Sequence, residues 1–123
     1  MWELSKSFRF EAAHTLERVV DSAASRRVHG HSYRAEVTLR GTPDAATGML
    51  IDLGSVEAAL EQVRAALDHR FLDDVPGLGP ATLENLSAWI WRNLPALGGA
   101  LSRVTVYRDS TGEASSYLGP RGD

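Results

Sequence analysis

The stretch RRVHGHSYRAEV, residues 26–37, places two histidines one residue apart at the start of an alternating pattern. From residue 31 to residue 40 the polar side chains occupy one phase, and the other phase holds His31, Tyr33, Ala35, Val37 and Leu39. This period of two predicts a β-strand with one covered face. Because residues i and i+2 of a strand project to the same side, His29 and His31 are predicted to point together toward that face.

A second alternating stretch, residues 5–14, brings a third histidine into the same pattern. His14 shares the phase of Phe8, Phe10 and Ala12, so pairing of the two strands would make three imidazoles converge. Three neutral histidines suffice for a catalytic zinc site, which keeps its fourth position open. The alternative is three separate histidines bonded to backbone carbonyls, and residue spacing alone leaves both interpretations open.

The rest of the chain predicts two helices followed by two strands. Residues 55–67 repeat apolar side chains at helical spacing, and Thr82 is a candidate N-cap for a second helix. Residues 101–109 and 113–118 are predicted strands. The order β-β-α-α-β-β predicts one α+β domain over residues 1–123, with an antiparallel four-stranded sheet and two helices on one face. Such a sheet has open edges, and self-association would cover them.

Composition narrows the class of protein. The formal net charge is −3 and the 13 lysines and arginines are scattered over the 123 residues, which argues against a nucleic-acid-binding face. The sequence contains no run of about 18 apolar residues, so it predicts no membrane span. The N-terminus lacks the apolar stretch of a signal peptide. Cysteine is absent, which excludes disulfides and thiolate metal ligands. We expect a cytoplasmic protein.

Two further acidic positions are candidates for function. Asp68 precedes His69 in LDHRFLDD, and an aspartate beside a histidine can set its tautomer and raise its basicity, which suits proton transfer. The alternative is an ordinary helix end with a dipole-favoured histidine and a solvated acid. Asp109 ends the third predicted strand, and spacing does not tell an exposed carboxylate there from a ligand-binding one.

Six blocks of the sequence occur in the order found in one protein family. The chain resembles the 6-pyruvoyltetrahydropterin synthase / 6-carboxytetrahydropterin synthase family, and the bacterial 6-carboxytetrahydropterin branch of queuosine biosynthesis is the most similar. The resemblance implies a tunnelling fold in which a trimer closes a barrel and two trimers stack as a hexamer. The six blocks are FEAAH (10–14), HGHSY (29–33), GMLIDLGSVE (48–57), LDHRFLDD (67–74), PATLEN (80–85) and VYRDST (106–111).

The resemblance also implies a role for each histidine. His14, His29 and His31 match the family's zinc ligands. Asp68 and His69 match its acid–base pair, which in the family reaches the site from a neighbouring subunit.

Three other residues match positions at the pterin pocket. Asp109 falls where the family usually has a glutamate that grips the guanidine-like edge of the pterin, and a shorter acid must sit closer to make the same paired hydrogen bonds. Thr82 and Glu84 match the family's PTxE turn near the pocket, although a helix cap alone explains much of the threonine.

One residue departs from the family pattern. The family has a cysteine four residues before the HGH block that abstracts a proton, and Ser25 stands at that position. The resemblance implies 7,8-dihydroneopterin triphosphate as the substrate. Zinc bound to a side-chain oxygen of that substrate would acidify the neighbouring C–H, and a base must then remove the proton. A serine hydroxyl is not a free base at neutral pH and would need His69 to take its proton. Glu17 and Asp21 in the same loop are alternative bases, although loop carboxylates are usually just solvated.

The sequence therefore predicts a zinc-dependent pterin lyase that gives 6-carboxytetrahydropterin. Three alternatives stay open at this point. They are 6-pyruvoyltetrahydropterin synthesis, retro-aldol cleavage of the pterin side chain, and zinc and pterin binding without turnover.

Overall fold

The protein is described by a computed structural model that covers residues 1–120. Its helices and strands follow one another as β1 (Trp2–His14), α1 (Ser22–Arg26), β2 (His29–Gly41), α2 (Leu53–Leu67), β3 (Arg70–Phe71), α3 (Leu83–Arg92), β4 (Leu101–Arg108) and β5 (Glu113–Tyr117). Two 3-10 turns, Leu72–Asp74 and Pro95–Ala100, lie between them. The α+β content is confirmed.

The long hairpin of β1 and β2 is the centre of the sheet. The two strands pair antiparallel over their full length, with Phe10 opposite Tyr33 and His14 opposite His29. Burial alternates along both strands as the sequence predicts, because one face packs against the helices and the other is polar. The end of β1 that carries His14 therefore lies beside the start of β2 that carries His29 and His31.

The prediction of a four-stranded antiparallel sheet is wrong in strand number and direction. The sheet has five strands in the order β3-β1-β2-β4-β5, and β3 pairs parallel with β1. His69 has a φ of 57°, which turns the chain so that Arg70 pairs with Ala12. Two residues carry no alternation, so the pattern that found the other strands could not find this one. The loop over residues 15–28 also contains α1, a helix too short to show a helical period.

The two predicted helices are present and cover one face of the sheet. Thr82 caps α3 by accepting a hydrogen bond from the Asn85 backbone N–H at 3.1 Å. Asp52 caps α2 through the Gly54 N–H at 2.8 Å. The buried side chains of α2 recur at helical spacing against β1, while α3 packs on β4 and β5. They are Val56, Leu60, Val63 and Leu67.

Both outer edges of the sheet carry unpaired backbone. β5 is the last strand on one side, and on the other side β3 covers only Ala12 and Ala13 of β1. Trp2, near the start of the open part of β1, is 57% exposed. Among residues 1–120, the helices are all too short or too polar to cross a bilayer.

Candidate metal centre and cavity

Three histidines converge where β1 ends and β2 begins. His14 is the last residue of β1, His29 lies opposite it, and His31 follows two residues later on the same face. The ring centroids are 4.5 Å apart for His14 and His29 and 4.9 Å apart for the other two pairs. One nitrogen from each ring lies within 4.8 Å of the others. The convergence predicted from strand phase is confirmed.

Hydrogen bonds to backbone carbonyls fix which nitrogen faces the cluster in two of the three rings. The Nδ1 atoms of His14 and His29 lie 2.9 Å from the Ala81 carbonyl and 2.7 Å from the Arg27 carbonyl. A carbonyl only accepts, so both Nδ1 atoms carry the proton and both Nε2 atoms present a lone pair. These two Nε2 atoms are 2.9 Å apart, an arrangement of facing lone pairs that a cation between them would relieve. Neutral imidazoles oriented by backbone carbonyls are a donor set that fits zinc.

The protonation states agree with metal binding. Burial lowers the pKa of His14. Burial, together with the positive charge of Arg108, lowers the pKa of His31 to about 4. Both rings are therefore neutral at neutral pH, which is the form that coordinates a metal.

A cavity of about 880 Å³ opens over the cluster. One wall is the loop before β2 with α1, a second is the start of α3, and the third is the turn between β4 and β5. Ser25 lies buried in the first wall, where its hydroxyl donates to the Ser22 carbonyl at 2.9 Å. Thr82 and Glu84 line the second wall. The structure thus brings three predicted residues to the histidine cluster.

Two cavity residues were missed by the sequence analysis as candidates for function. Arg108 shares the phase of the buried residues Val104 and Val106 on β4, and that phase is the signal that could have placed it on the cluster side. Its Nη1 donates to His31 Nε2 at 3.3 Å, its Nε donates to Thr111 Oγ1 at 3.2 Å, and its Nη2 bonds Glu113.

The second missed residue is Tyr33, which was assigned only to the apolar face. Its ring stacks on Phe10 with centroids 4.9 Å apart, and it lines the cavity beside Arg108. Its hydroxyl is buried and has no hydrogen-bond partner among residues 1–120. Burial raises the pKa of Tyr33 to about 12, so the hydroxyl keeps its proton.

The Asp68–His69 pair does not line this cavity. Asp68 accepts hydrogen bonds from the Glu11 backbone N–H at 2.9 Å, from His69 Nδ1 at 2.9 Å and from Arg64 at 3.1 Å. The first two bonds, with the charge of Arg64, hold the pKa of this carboxyl below its usual range. The His69 side chain is 79% exposed. The pair is formed as predicted, but within one chain it stays apart from the histidine cluster.

Asp109 also lies outside the cavity. Its carboxylate accepts two hydrogen bonds from Arg34, at 3.0 and 3.2 Å, on the polar face of the sheet, and Arg9 lies 4.0 Å away. The bonds from Arg34 lower the pKa of Asp109. Its substrate-binding role stays a prediction that the geometry of one chain does not support.

Nearly the whole chain matches a known protein family. The family model described as 6-pyruvoyl tetrahydropterin synthase matches residues 3–119. The chain belongs to this family. A 6-carboxy-5,6,7,8-tetrahydropterin synthase of Synechocystis sp. is 38% identical, over 98% of this chain and 96% of that protein. A 6-pyruvoyl tetrahydrobiopterin synthase of Homo sapiens is 40% identical over 64% of this chain and 59% of its own length.

A solved structure shows the same architecture. The 6-pyruvoyl tetrahydropterin synthase of Caenorhabditis elegans superposes with a TM-score of 0.82 at 26% identity, over 97% of this chain and 96% of that one. Membership of the pterin synthase family thus rests on both the sequence and the fold.

Proposed function

We propose that this protein is a zinc-dependent pterin lyase that converts 7,8-dihydroneopterin triphosphate into 6-carboxytetrahydropterin. The observation that carries the proposal is the cluster of His14, His29 and His31 under a cavity of about 880 Å³. That volume is typical of small-molecule sites. The choice of product is supported by the Synechocystis relative, whose name is that of a 6-carboxytetrahydropterin synthase and which matches nearly the whole chain.

The three histidines would hold the zinc through their Nε2 atoms. A zinc ion held there would supply a Lewis acid that makes a C–H of the substrate side chain more acidic. The chain itself supplies the remaining requirements, which are orientation of the pterin and a base for the proton. Ala81 and Arg27 keep two of the imidazoles in the ligating tautomer through their carbonyls.

The base is assigned to His69. Ser25 lies in the cavity wall, but its hydroxyl donates to a backbone carbonyl and no imidazole is placed to accept its proton. His69 has Asp68 on Nδ1, so its Nε2 is left to take a proton from substrate. Its exposure suits a residue that completes the site of another chain.

A shared site requires an oligomer, and the sheet edges suit one. The unpaired backbone of β5 and of residues 2–8 in β1 can pair with equivalent edges of other copies, whereas Arg9 and Glu11 on that edge already bond Arg64, Asp68 and His69. We propose a trimer that closes the sheets into a barrel, with two trimers forming a hexamer in the cytoplasm.

Glu84 is proposed to recognise the pterin. Its exposed side chain lines the cavity and makes no ion pair with any residue in 1–120. A carboxylate in that position can accept the paired hydrogen bonds of the guanidine-like edge. Thr82 fixes the turn that carries it by capping α3.

The deciding experiment is to incubate the zinc-loaded protein with 7,8-dihydroneopterin triphosphate and to identify the products by mass spectrometry. We expect 6-carboxytetrahydropterin, formed only with zinc present, and none from His31→Ala. A pyruvoyl or hydroxymethyl product would assign one of the alternative reactions instead. An unconsumed substrate that nevertheless binds would show a pterin-binding protein without turnover.

A further inference from the structure

Two hydrogen-bond donors face the histidine cluster without a role in the function proposed above. Tyr33 is 2% exposed, it lines the cavity, and its hydroxyl finds no acceptor among residues 1–120. A buried hydroxyl without a partner is destabilising and is uncommon in folded proteins, so such a group calls for a partner outside the chain.

The second donor is Arg108, whose orientation is fixed by its neighbours. Glu113 and Thr111 hold two of its nitrogens from the β4–β5 turn, and the third, Nη1, is left to donate to His31 Nε2. This contact uses the lone pair that His31 would offer to a metal. Since a lone pair serves one partner, a metal held through His31 Nε2 leaves the Arg108 N–H without its acceptor.

A bound ligand can supply an oxygen that replaces His31 Nε2 as the hydrogen-bond acceptor for Arg108. The Tyr33 ring centroid lies 5.8 Å from that of His31, and Arg108 Nη1 lies 3.3 Å from His31 Nε2, so an oxygen bound next to His31 would have both donors beside it. A guanidinium favours a negatively charged oxygen over a neutral one, because charge-assisted hydrogen bonds are shorter and stronger. Buried donors also penalise a ligand that lacks the matching acceptor.

We propose that Arg108 and Tyr33 form an oxyanion-binding site beside the three histidines, which selects a pterin whose side chain carries a negatively charged oxygen. A 6-carboxylate fits this site, and a neutral 6-hydroxymethyl group does not. The proposal rests on the function proposed above in taking the ligand to be a pterin. Glu113 holds the guanidinium through Nη2, which leaves the Nη1–H of Arg108 directed at the cluster.

The test measures equilibrium binding rather than activity. Zinc-loaded protein is titrated with 6-carboxypterin and with 6-hydroxymethylpterin, and binding is followed by the fluorescence of the pterin. We expect Arg108→Gln to weaken binding of 6-carboxypterin roughly 10- to 100-fold, and binding of 6-hydroxymethylpterin by less than about threefold. Tyr33→Phe should weaken 6-carboxypterin binding about 3- to 10-fold.

Two controls separate this role from a structural one. Arg40→Gln removes an exposed arginine at the opposite end of β2 and should change neither affinity. Arg108→Lys keeps the charge and should recover part of the selectivity. Zinc content and melting temperature are measured for every variant, so that loss of metal or of folding is not counted as loss of binding. Equal weakening of both ligands by Arg108→Gln, or no weakening of either, would overturn the proposal.

A second arm separates this inference from the proposed function. If the wild-type protein binds neither pterin, the function is contradicted, and the oxyanion site is tested with lactate and 1,2-propanediol on cobalt-loaded protein. A change in the cobalt absorption bands with lactate only, lost in Arg108→Gln and retained in Arg40→Gln, supports the site. The same response to both small molecules, or to neither, overturns it.

Discussion

The two histidine sites of this chain are built in opposite ways. His14, His29 and His31 lie at the strand ends under a cavity, and carbonyls hold two of the rings in the tautomer that presents Nε2. His69 is 79% exposed and is oriented by a single carboxylate, that of Asp68. The first arrangement suits a bound cation, and the second suits proton exchange.

The two sites lie on opposite faces of the β1–β2 strand pair. His69 borders a shallow groove of about 340 Å³ that also includes Glu11, Gly30 and Ser32, residues whose phase is opposite to that of the cluster. His31 borders both openings. The two candidate sites therefore open on opposite surfaces of one chain, and the proposed mechanism would need a second chain to bring them together.

The largest effect is expected from removing a cluster ligand. His31→Ala should reduce bound zinc from one per chain to none, because two histidines leave too few protein ligands for a stable site. Zinc per chain, measured by atomic emission after dialysis, checks this. His69→Ala is the matched control and should keep its zinc. Full occupancy in His31→Ala would contradict the assignment of the metal site.

Removing the proposed base should abolish activity without affecting the metal. His69→Ala should lower turnover of 7,8-dihydroneopterin triphosphate by about 10²- to 10⁴-fold, the usual contribution of a general base. Steady-state kinetics with measured zinc content checks this. Turnover close to that of the wild type would remove His69 from the mechanism.

Mixing the two inactive variants tests whether the site is shared. If His31→Ala and His69→Ala are unfolded together and refolded as mixed oligomers, some sites combine an intact cluster with an intact His69, and activity should return. Light scattering of the wild type, which we expect to show a hexamer, is the companion measurement. A monomer of 13.4 kDa would contradict the shared site.

A smaller gain is expected from supplying a thiol inside the cavity. Ser25→Cys should raise turnover roughly tenfold or more. The pKa of a thiol, about 8.5 when free, is readily lowered beside a metal, so the thiolate base is populated near neutral pH, whereas a serine alkoxide is not. Ser22→Cys puts a thiol on the same short helix but outside the cavity lining and should give no gain. An unchanged rate in Ser25→Cys would favour a reaction that evolved around serine.

The smallest effect concerns the metal-free protein and pH. The pKa of His31 is about 4 in the folded chain and about 6.5 when unfolded, so the unfolded chain binds more protons between these values. The free energy of unfolding should therefore fall as pH drops from about 6.5 to 4. Urea midpoints across this range check it, and His31→Asn should flatten the slope. An equal slope in the variant would remove His31 as a cause.

The parts of the fold that repeat a pattern were predictable from the sequence. The alternation of polar and apolar side chains predicted β1 and β2, and the same alternation placed His14, His29 and His31 on one face. The two-residue β3 and the five-residue α1 are too short to show a period, and tertiary contacts fix them. The same limit applies to Asp109, because its pairing with Arg34 joins residues 75 positions apart.

Arg108 shows a different limit. Its strand phase places it on the cluster side, yet a charged residue at a strand end is ordinarily solvated, so nothing in the local pattern marks it. Only the turn that brings Glu113 back against it shows that its charge is held in place. The three clustered histidines were therefore easier to predict than the arginine beside them.

The three candidate metal ligands belong to a single pair of strands, and this has a consequence for the order of folding. The three histidines converge through pairing of β1 and β2, whereas the Ala81 carbonyl that orients His14 and lines the cavity is 67 residues away from it. Contacts close in sequence lose less chain entropy and tend to form earlier. We therefore expect the histidine cluster to form before the cavity, and a metal ion bound at that stage would cross-link a hairpin that is marginal by itself. The same ion, added only after folding is complete, would contribute stability without speeding folding.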